Sequence, residues 1–316
     1  MTREELTLAR LMFRLKIHEA KGQAFEDLFV KIYQSASPTF KAVKPQGQIG
    51  DRKNDGYDTA TGAYHQVYAP EKLSESVAEA VKKLKTDFAG IKANWEKICP
   101  IRSFYFVMND RYMGSFPTIE EDLSNIKKDN NLDACEALLA KDLEDKLFSL
   151  SEDLIFSIVG FVPSPDKIET LNYSVLNQVV AHIIAYNRLT PVAGLLEVPD
   201  YEEKIKVNNL SRRVAALLWS AGNQVGIFDN YFVKNSVSSK QDVRDHLNQI
   251  YQTSKKKSWP DKSDGLTHED YVFMDVLHTA APKQTQEYID ATLVVMAAFF
   301  ESCDIFEEPG QTALKL

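Results

Sequence analysis

The segment Gly50 to Glu71, GDRKNDGYDTATGAYHQVYAPE, constrains the fold most. DGYD and AYHQVYA read as two strands joined by the turn Thr59 to Gly62, with Pro70 stopping the second. Strand alternation would place Asp51, Lys53 and Asp55 on one face of the first, and Tyr64, Gln66 and Tyr68 on one face of the second. A hairpin of this kind leaves open whether it is a metal-binding edge or only a charged turn between strands.

The flanking segments say what the hairpin packs against. Residues 2 to 19 repeat apolar side chains at helical intervals, and QAFEDLFVKIYQSA follows with Phe25, Leu28, Phe29, Ile32 and Tyr33 in one stripe and Glu26 near its edge. FKAVKP reads as a short strand. Residues 74 to 98 form a long amphipathic helix, N-capped by Ser74 and carrying Val77, Val81, Leu84, Phe88, Ile91 and Trp95 on one face. SFYFVMND, Ser103 to Asp110, is aromatic, β-branched and short, which defines a further strand. Helix, strands, helix, strand is an α/β order.

From Ile119 onward the spacing predicts helices throughout, including an acidic stretch over 119 to 150 with Leu123, Ile126, Leu138, Leu139, Leu143 and Leu147 at helical intervals. FVPSPDK at 161–167 marks a boundary, giving domains 1–164 and 165–316. Beyond it, helices are expected around 168–186, 209–226, 240–254 and 268–278, then in QEYIDATLVVMAAFFESCDIF. The expected fold is an α/β N-terminal domain joined to an all-α C-terminal domain.

Charge is uneven along the chain. Residues 1–118 hold 18 Lys/Arg against 14 Asp/Glu, residues 119–165 hold 4 against 11, and residues 166–316 hold 15 against 20. Only the first third is basic, so only it is a natural face for phosphates; a solvated surface accounts for the same excess. The three cysteines, Cys99, Cys135 and Cys303, have neither disulfide-framework nor zinc-ligand spacing, which points to a reducing compartment. No apolar run approaches the roughly 18 residues of a membrane span, and the N-terminus lacks a signal pattern, so no membrane association and a cytoplasmic location are expected.

The hairpin supplies hard oxygen donors. Asp55, Glu26 from the preceding helix and the Gln66 strand would suit Mg²⁺, which can activate water and stabilise charge on a phosphodiester, with Lys53 or Lys44 as a nearby amine. Asp/Asn/Gly clusters also mark plain turns, more often than they mark metal sites. Gln66 leans toward the first reading, because it falls among Tyr64, Val67 and Tyr68 in a run that should be buried, where an amide needs partners.

AFEDLFVKIY, IGDRKNDGYD and YHQVYAPE together resemble the restriction-endonuclease-like PD-(D/E)xK nucleases of the Mrr type: a helix bearing FE, a strand with Asp before Gly, and a strand ending Q-x-K or E-x-K. Glu26, Asp55 and Gln66 match in type and order, which implies an α/β restriction-endonuclease-like domain, a DNA substrate, and Mg²⁺ or Mn²⁺ held by those three residues. Tyr68 stands where the pattern has lysine; Lys53, from the other strand, is the candidate replacement. AAFFESCDIFEEP near the C-terminus, with the hairpin phrases, resembles proteins of bacterial ABC-three-component conflict systems, the group that includes Lamassu-type phage defence. That resemblance implies a metal-dependent DNA endonuclease effector whose helical C-terminal domain docks an SMC-like or ABC-type ATPase subunit and a small middle subunit. It equally accommodates a catalytically inactive adaptor that binds nucleic acid or partner subunits.

Other features add little chemistry. His65 is expected to point away from Gln66, and the remaining five histidines to lie on surfaces or in cores. There is no GxSxG nucleophile and no P-loop, so the chain is not itself the ATPase. Lys255 to Lys257, followed by SWPDK, reads as a solvated loop or a phosphate contact, and the FFESCDIFEEP end as packing on its own domain or on a partner.

Overall fold

The computed structural model describes residues 1–47, 50–70, 77–186, 201–234, 239–260, 265–302 and 305–307. Ser74, Cys303, Glu71, the end of the SWPDK loop and part of the C-terminal phrase lie outside them. Two compact units divide the chain: Phe13–Val159, and Met1–Met12 with Gly160–Leu316.

The Phe13–Val159 unit is built on a five-stranded sheet in sequential order, β1 (Phe40–Ala42), β2 (Gly56–Asp58), β3 (Ala63–Tyr68), β4 (Ser103–Met108) and β5 (Ala134–Leu138). β1, β2 and β3 are antiparallel neighbours; β3, β4 and β5 run parallel. Parallel neighbours need crossovers, and α3 (Val77–Trp95) and α4 (Pro117–Asn130) supply them. The hairpin turn falls at Thr59–Gly62 as the sequence predicts. Gly62 is required there: its φ is +67°, and a Cβ would lie 2.6 Å from the Pro100 carbonyl oxygen.

The two sheet faces separate by alternation. Tyr64, Phe104, Phe106 and Met108 pack with Ala80, Leu84, Phe88 and Ile91 of α3 in one buried core. On the opposite face His65 sits in a cage of Phe29, Tyr33, Phe40 and Tyr105, ring centroids 4.8 to 5.6 Å away. Phe29 and Tyr33 belong to α2 (Gln23–Ala36), which begins where the Gly22 N–H donates to the Ala69 carbonyl, just past the end of β3. α1 (Arg3–Glu19), α5 (Ala140–Phe148) and α6 (Glu152–Val159) complete the described helices up to Val159. Arg14 and Glu144, 4% and 0% exposed, form a buried ion pair with contacts of 2.8 and 3.0 Å, and Tyr112 donates to the same carboxylate.

The expectation that everything after Ile119 is helical is wrong at Ala134–Leu138, which forms β5. Four of the five residues of ACEAL, Ala134, Glu136, Ala137 and Leu138, are good helix formers, so local preference favours helix. Pairing with Ser103–Val107 of β4 and burial of Cys135 override it. Leu138 therefore sits on a strand, Leu123 and Ile126 on α4, and Leu143 and Leu147 on α5. α4 stops at Asn131, whose φ of 52° is a left-handed helix cap.

The described residues after Gly160 are helical: a short turn at Pro165–Lys167, then α7 (Tyr173–Ala185), α8 (Tyr201–Val207), α9 (Arg212–Gly222), α10 (Val225–Lys234), α11 (Lys240–Lys255), α12 (His268–Ala280) and α13 (Gln286–Glu301). The helix expected at 209–226 is instead two, broken after Gly222 where the Gln224 N–H turns back to the Ala221 carbonyl. α13 is buried on every side from Tyr288 to Phe300, which explains an apolar run without polar periodicity. No described helix is long and apolar enough to cross a membrane. Phe299, Phe300, Ile305 and Phe306 are all buried, so this part of the C-terminal phrase packs within its own unit. Lys255 pairs with Glu307, and Lys257 with Asp275 at 2.7 Å, so two of the three consecutive lysines serve that unit's own acids.

Candidate functional site

Asp55 lies at a bend immediately before β2, where Gly56 is set against His65 and Tyr57 against Tyr64 of β3. Tyr57 of β2 stacks on Tyr64 at 5.3 Å and meets Trp95 of α3 at 5.2 Å. Gln66, two residues from Tyr64 along β3, therefore faces the side that α3 covers. Asp55 is held by both its backbone and its side chain: its N–H donates to the His65 carbonyl at 3.2 Å, and its Oδ2 accepts the Val67 N–H at 2.6 Å.

The electrostatics are unfavourable to a bare carboxylate. Burial pushes the Asp55 carboxyl up to about 7, and the negative charge of Glu26 adds to the rise, against the Val67 hydrogen bond and the positive charge of Lys83. Gln66 is 3% exposed, and its Oε1 is buried with no hydrogen-bond partner. Asn54, also buried, caps the Gly56 N–H with its Oδ1 while its Nδ2 has no partner. Unsatisfied buried polar atoms cost about 1 to 3 kcal/mol each, and two occur on the segments that hold the buried Asp55. Glu26, in the first turn of α2, is half-buried and acts on Asp55 through its charge.

Asp55 and Gln66 are thus joined through β3, and Glu26 bears on Asp55 through its charge. Lys53 is placed differently from the strand alternation expected of it. It lies in a turn with φ 69°, after Arg52 with φ 53°, so Asp51 and Lys53 do not alternate along a strand with Asp55. Its stem crosses α3 at Gly90, where a Cβ would come 2.7 Å from Lys53 Cγ, and its Nζ reaches Asp87 Oδ1 at 3.3 Å. Tyr68 stacks on Phe106 at 5.7 Å.

Sequence reasoning passed over Lys83 and Asp87. As an i,i+4 pair of opposite charge on an amphipathic helix they look like surface decoration, yet Asp87 is 1% exposed and takes Lys83 at 2.5 Å in addition to Lys53. The one readable signal was that Asp87 directly precedes the stripe residue Phe88. His65 faces away from Gln66, as expected, and burial lowers its pKa to about 3, which keeps it neutral.

Among the described residues no three of His, Cys, Asp and Glu gather into a metal-sized group. The donors here are two acids and one amide oxygen. An acid that resists ionisation and an amide oxygen without a donor fit a small divalent cation, which would satisfy both with oxygen ligands.

Fold and site together describe an α/β unit with a buried acid and a buried amide at a hairpin, followed in sequence by a helical unit. Residues 174–307 of the latter match the family described as C-terminal domain 10 of the ABC-three component (ABC-3C) systems, which supports an ABC-three-component system protein. No curated protein and no solved structure matches the chain.

Proposed function

We propose that the protein is the metal-dependent DNA endonuclease effector of an ATPase-gated, Lamassu-like antiphage complex in the bacterial cytoplasm. The carrying observation is the buried Asp55 carboxylate, raised to about 7 and held by the Val67 N–H, next along β3 from the partnerless Gln66 oxygen. The strand order supports a restriction-endonuclease-like reading: an antiparallel hairpin bearing Asp55 and Gln66, then a helix and a parallel strand, with Glu26 on the helix before. Glu26, Asp55 and Gln66 would hold Mg²⁺ or Mn²⁺. Such an ion, when bound, lowers the pKa of a water and draws charge from a phosphodiester.

The protein's own groups do the rest. The Val67 N–H fixes one Asp55 oxygen, leaving Oδ1 for a ligand. The helical unit, through its ABC-three-component domain, supports docking to partner subunits; in this reading they are an SMC-like or ABC-type ATPase and a small middle subunit.

Tyr68, in place of the pattern's lysine, favours a second reading, a nuclease-like adaptor without activity. Plasmid cleavage with Mg²⁺ or Mn²⁺, with the partner ATPase supplied, separates the two. Cleavage by the wild type and none by Asp55→Ala supports the enzyme; identical products from both remove the assigned site; silence from both supports the adaptor.

A further inference from the structure

The helical unit holds a cavity of about 160 Å³ between the segment that leads into α7 and the first turns of α13. Its buried lining is apolar, from Leu171, Val175 and Ala291, except for one acid, Asp290; its exposed lining includes two more acids, Glu169 and Glu287. Asp290 is 2% exposed. Its Oδ2 accepts the Glu169 N–H at 2.9 Å, while its Oδ1 is buried with no hydrogen-bond partner. Gln286, one turn earlier on α13, bears on the acid but donates its amide N–H to the Lys167 carbonyl at 2.9 Å. The cavity wall is held in place: Gln224 takes the Leu171 N–H with its Oε1 at 2.7 Å and gives its Nε2 hydrogen to the Glu169 carbonyl at 2.9 Å.

Helix ends explain only part of this acidity. Glu287 stands in the first turn of α13, where the helix dipole favours a carboxylate. Asp290 lies deeper and is sealed, and the charge that bears on it is the negative charge of Glu169. No described lysine or arginine pairs with any of the three acids. A buried acid is costly unless a partner offsets it, and burial pushes the Asp290 carboxyl up to about 6. The acids do not gather into a metal-sized group, and the apolar wall gives a hard cation no ligands. A cation carried on carbon fits both parts, its stem on Leu171, Val175 and Ala291 and its head on Asp290 Oδ1. Arginine suits this better than lysine, being less strongly hydrated and able to fork between two carboxylates. A cavity of about 150 Å³ takes a benzene-sized group, which is room for a guanidinium with its adjoining methylene.

We propose that this cavity receives an arginine side chain of a partner subunit, its guanidinium paired with Asp290 and flanked by Glu169 and Glu287. The inference rests on the docking reading above, since Val175, Glu287, Asp290 and Ala291 fall within the matched ABC-three-component domain.

The test measures binding of the full chain to the ATPase and middle subunits supplied together. Wild type is compared with Asp290→Asn, Val175→Met, Glu169→Gln/Glu287→Gln and, as a control on general charge, Glu203→Gln, an exposed acid of α8; melting curves show each folded. Asp290→Asn keeps an acceptor for the Glu169 N–H and should weaken assembly about thirtyfold or more, chiefly through faster dissociation. Val175→Met, which fills the cavity and leaves its charge intact, should weaken assembly in the same direction. The double rim variant should cost less than Asp290→Asn, and Glu203→Gln should bind like wild type. On the chain alone, acetylarginine methylamide should shift the amide NMR signals of Leu171 and Ala291 in wild type but not in Asp290→Asn, and neutral acetylcitrulline methylamide should shift neither. Stronger shifts from acetyllysine methylamide, or shifts from Mg²⁺ with none from the arginine probe, overturn the arginine assignment. If Asp290→Asn and Val175→Met assemble as tightly as wild type, the cavity assignment falls and docking stands. A wild type that binds neither subunit removes the docking reading and this inference together.

Discussion

Asp55 Oδ2 accepts the Val67 N–H at 2.6 Å across the hairpin, so the acid is fixed by the strand that carries Gln66. One oxygen is spoken for by the backbone, and burial opposes charge on the pair. A group so placed should report on its environment through proton binding.

The folded Asp55 carboxyl titrates near 7, against an ordinary value of 3.8. The folded state then binds the proton more tightly, so this contribution to stability is complete below about pH 4 and is lost as pH rises through about 7. The difference corresponds to on the order of 4 kcal/mol. Melting curves in chelator should show wild type losing stability relative to Asp55→Asn across that window, and Mg²⁺ should reduce the loss. Parallel pH profiles for the two proteins would contradict the environment described.

Gln66→Leu removes an amide oxygen that has no donor. The metal-free protein should gain stability by about 1 kcal/mol or lose little, while Mn²⁺ binding, followed by electron paramagnetic resonance, should weaken. A large destabilisation with unchanged Mn²⁺ affinity would make Gln66 a purely structural residue.

Gly62→Ala places a Cβ against the Pro100 oxygen at a left-handed φ. The expected cost is about 2 kcal/mol or more, read as a lower urea midpoint at unchanged slope. An unchanged midpoint would mean the turn is not held as described.

Arg14→Met removes the cation from the fully buried Glu144 carboxylate, which keeps the Tyr112 hydroxyl but no longer has its charge balanced by Arg14. Urea denaturation should show a loss of about 3 to 5 kcal/mol, most of it restored in Arg14→Met/Glu144→Leu. Additive losses in the double variant would show that the two residues act separately.

Much of the fold was legible because its elements carry period and punctuation together. α2 coincides with the stripe in QAFEDLFVKIYQSA, and the hairpin turn is where Thr-Ala-Thr-Gly stands. β5 was not legible, because Ala, Glu and Leu prefer helix and only the waiting edge of β4 makes them a strand. Near the hairpin, the burial of Gln66 was readable from the run Tyr64, Val67 and Tyr68 in which it stands. Lys53 was misplaced because two left-handed residues, Arg52 and Lys53, break the alternation assumed for it. Lys83 and Asp87 escaped notice because an i,i+4 ion pair looks the same in sequence whether its acid is solvated or sealed.

Asp87 holds two cations from different directions, Lys83 from its own helix and Lys53 from the hairpin loop. A sealed carboxylate with one partner imprisons it, since departure would bare the charge. With two, either lysine can swing away while the other keeps the acid neutralised. The redundancy turns a static ion pair into a berth that one amine can vacate at low cost, and the chain position of the second, two residues before Asp55, ties that freedom to the hairpin itself.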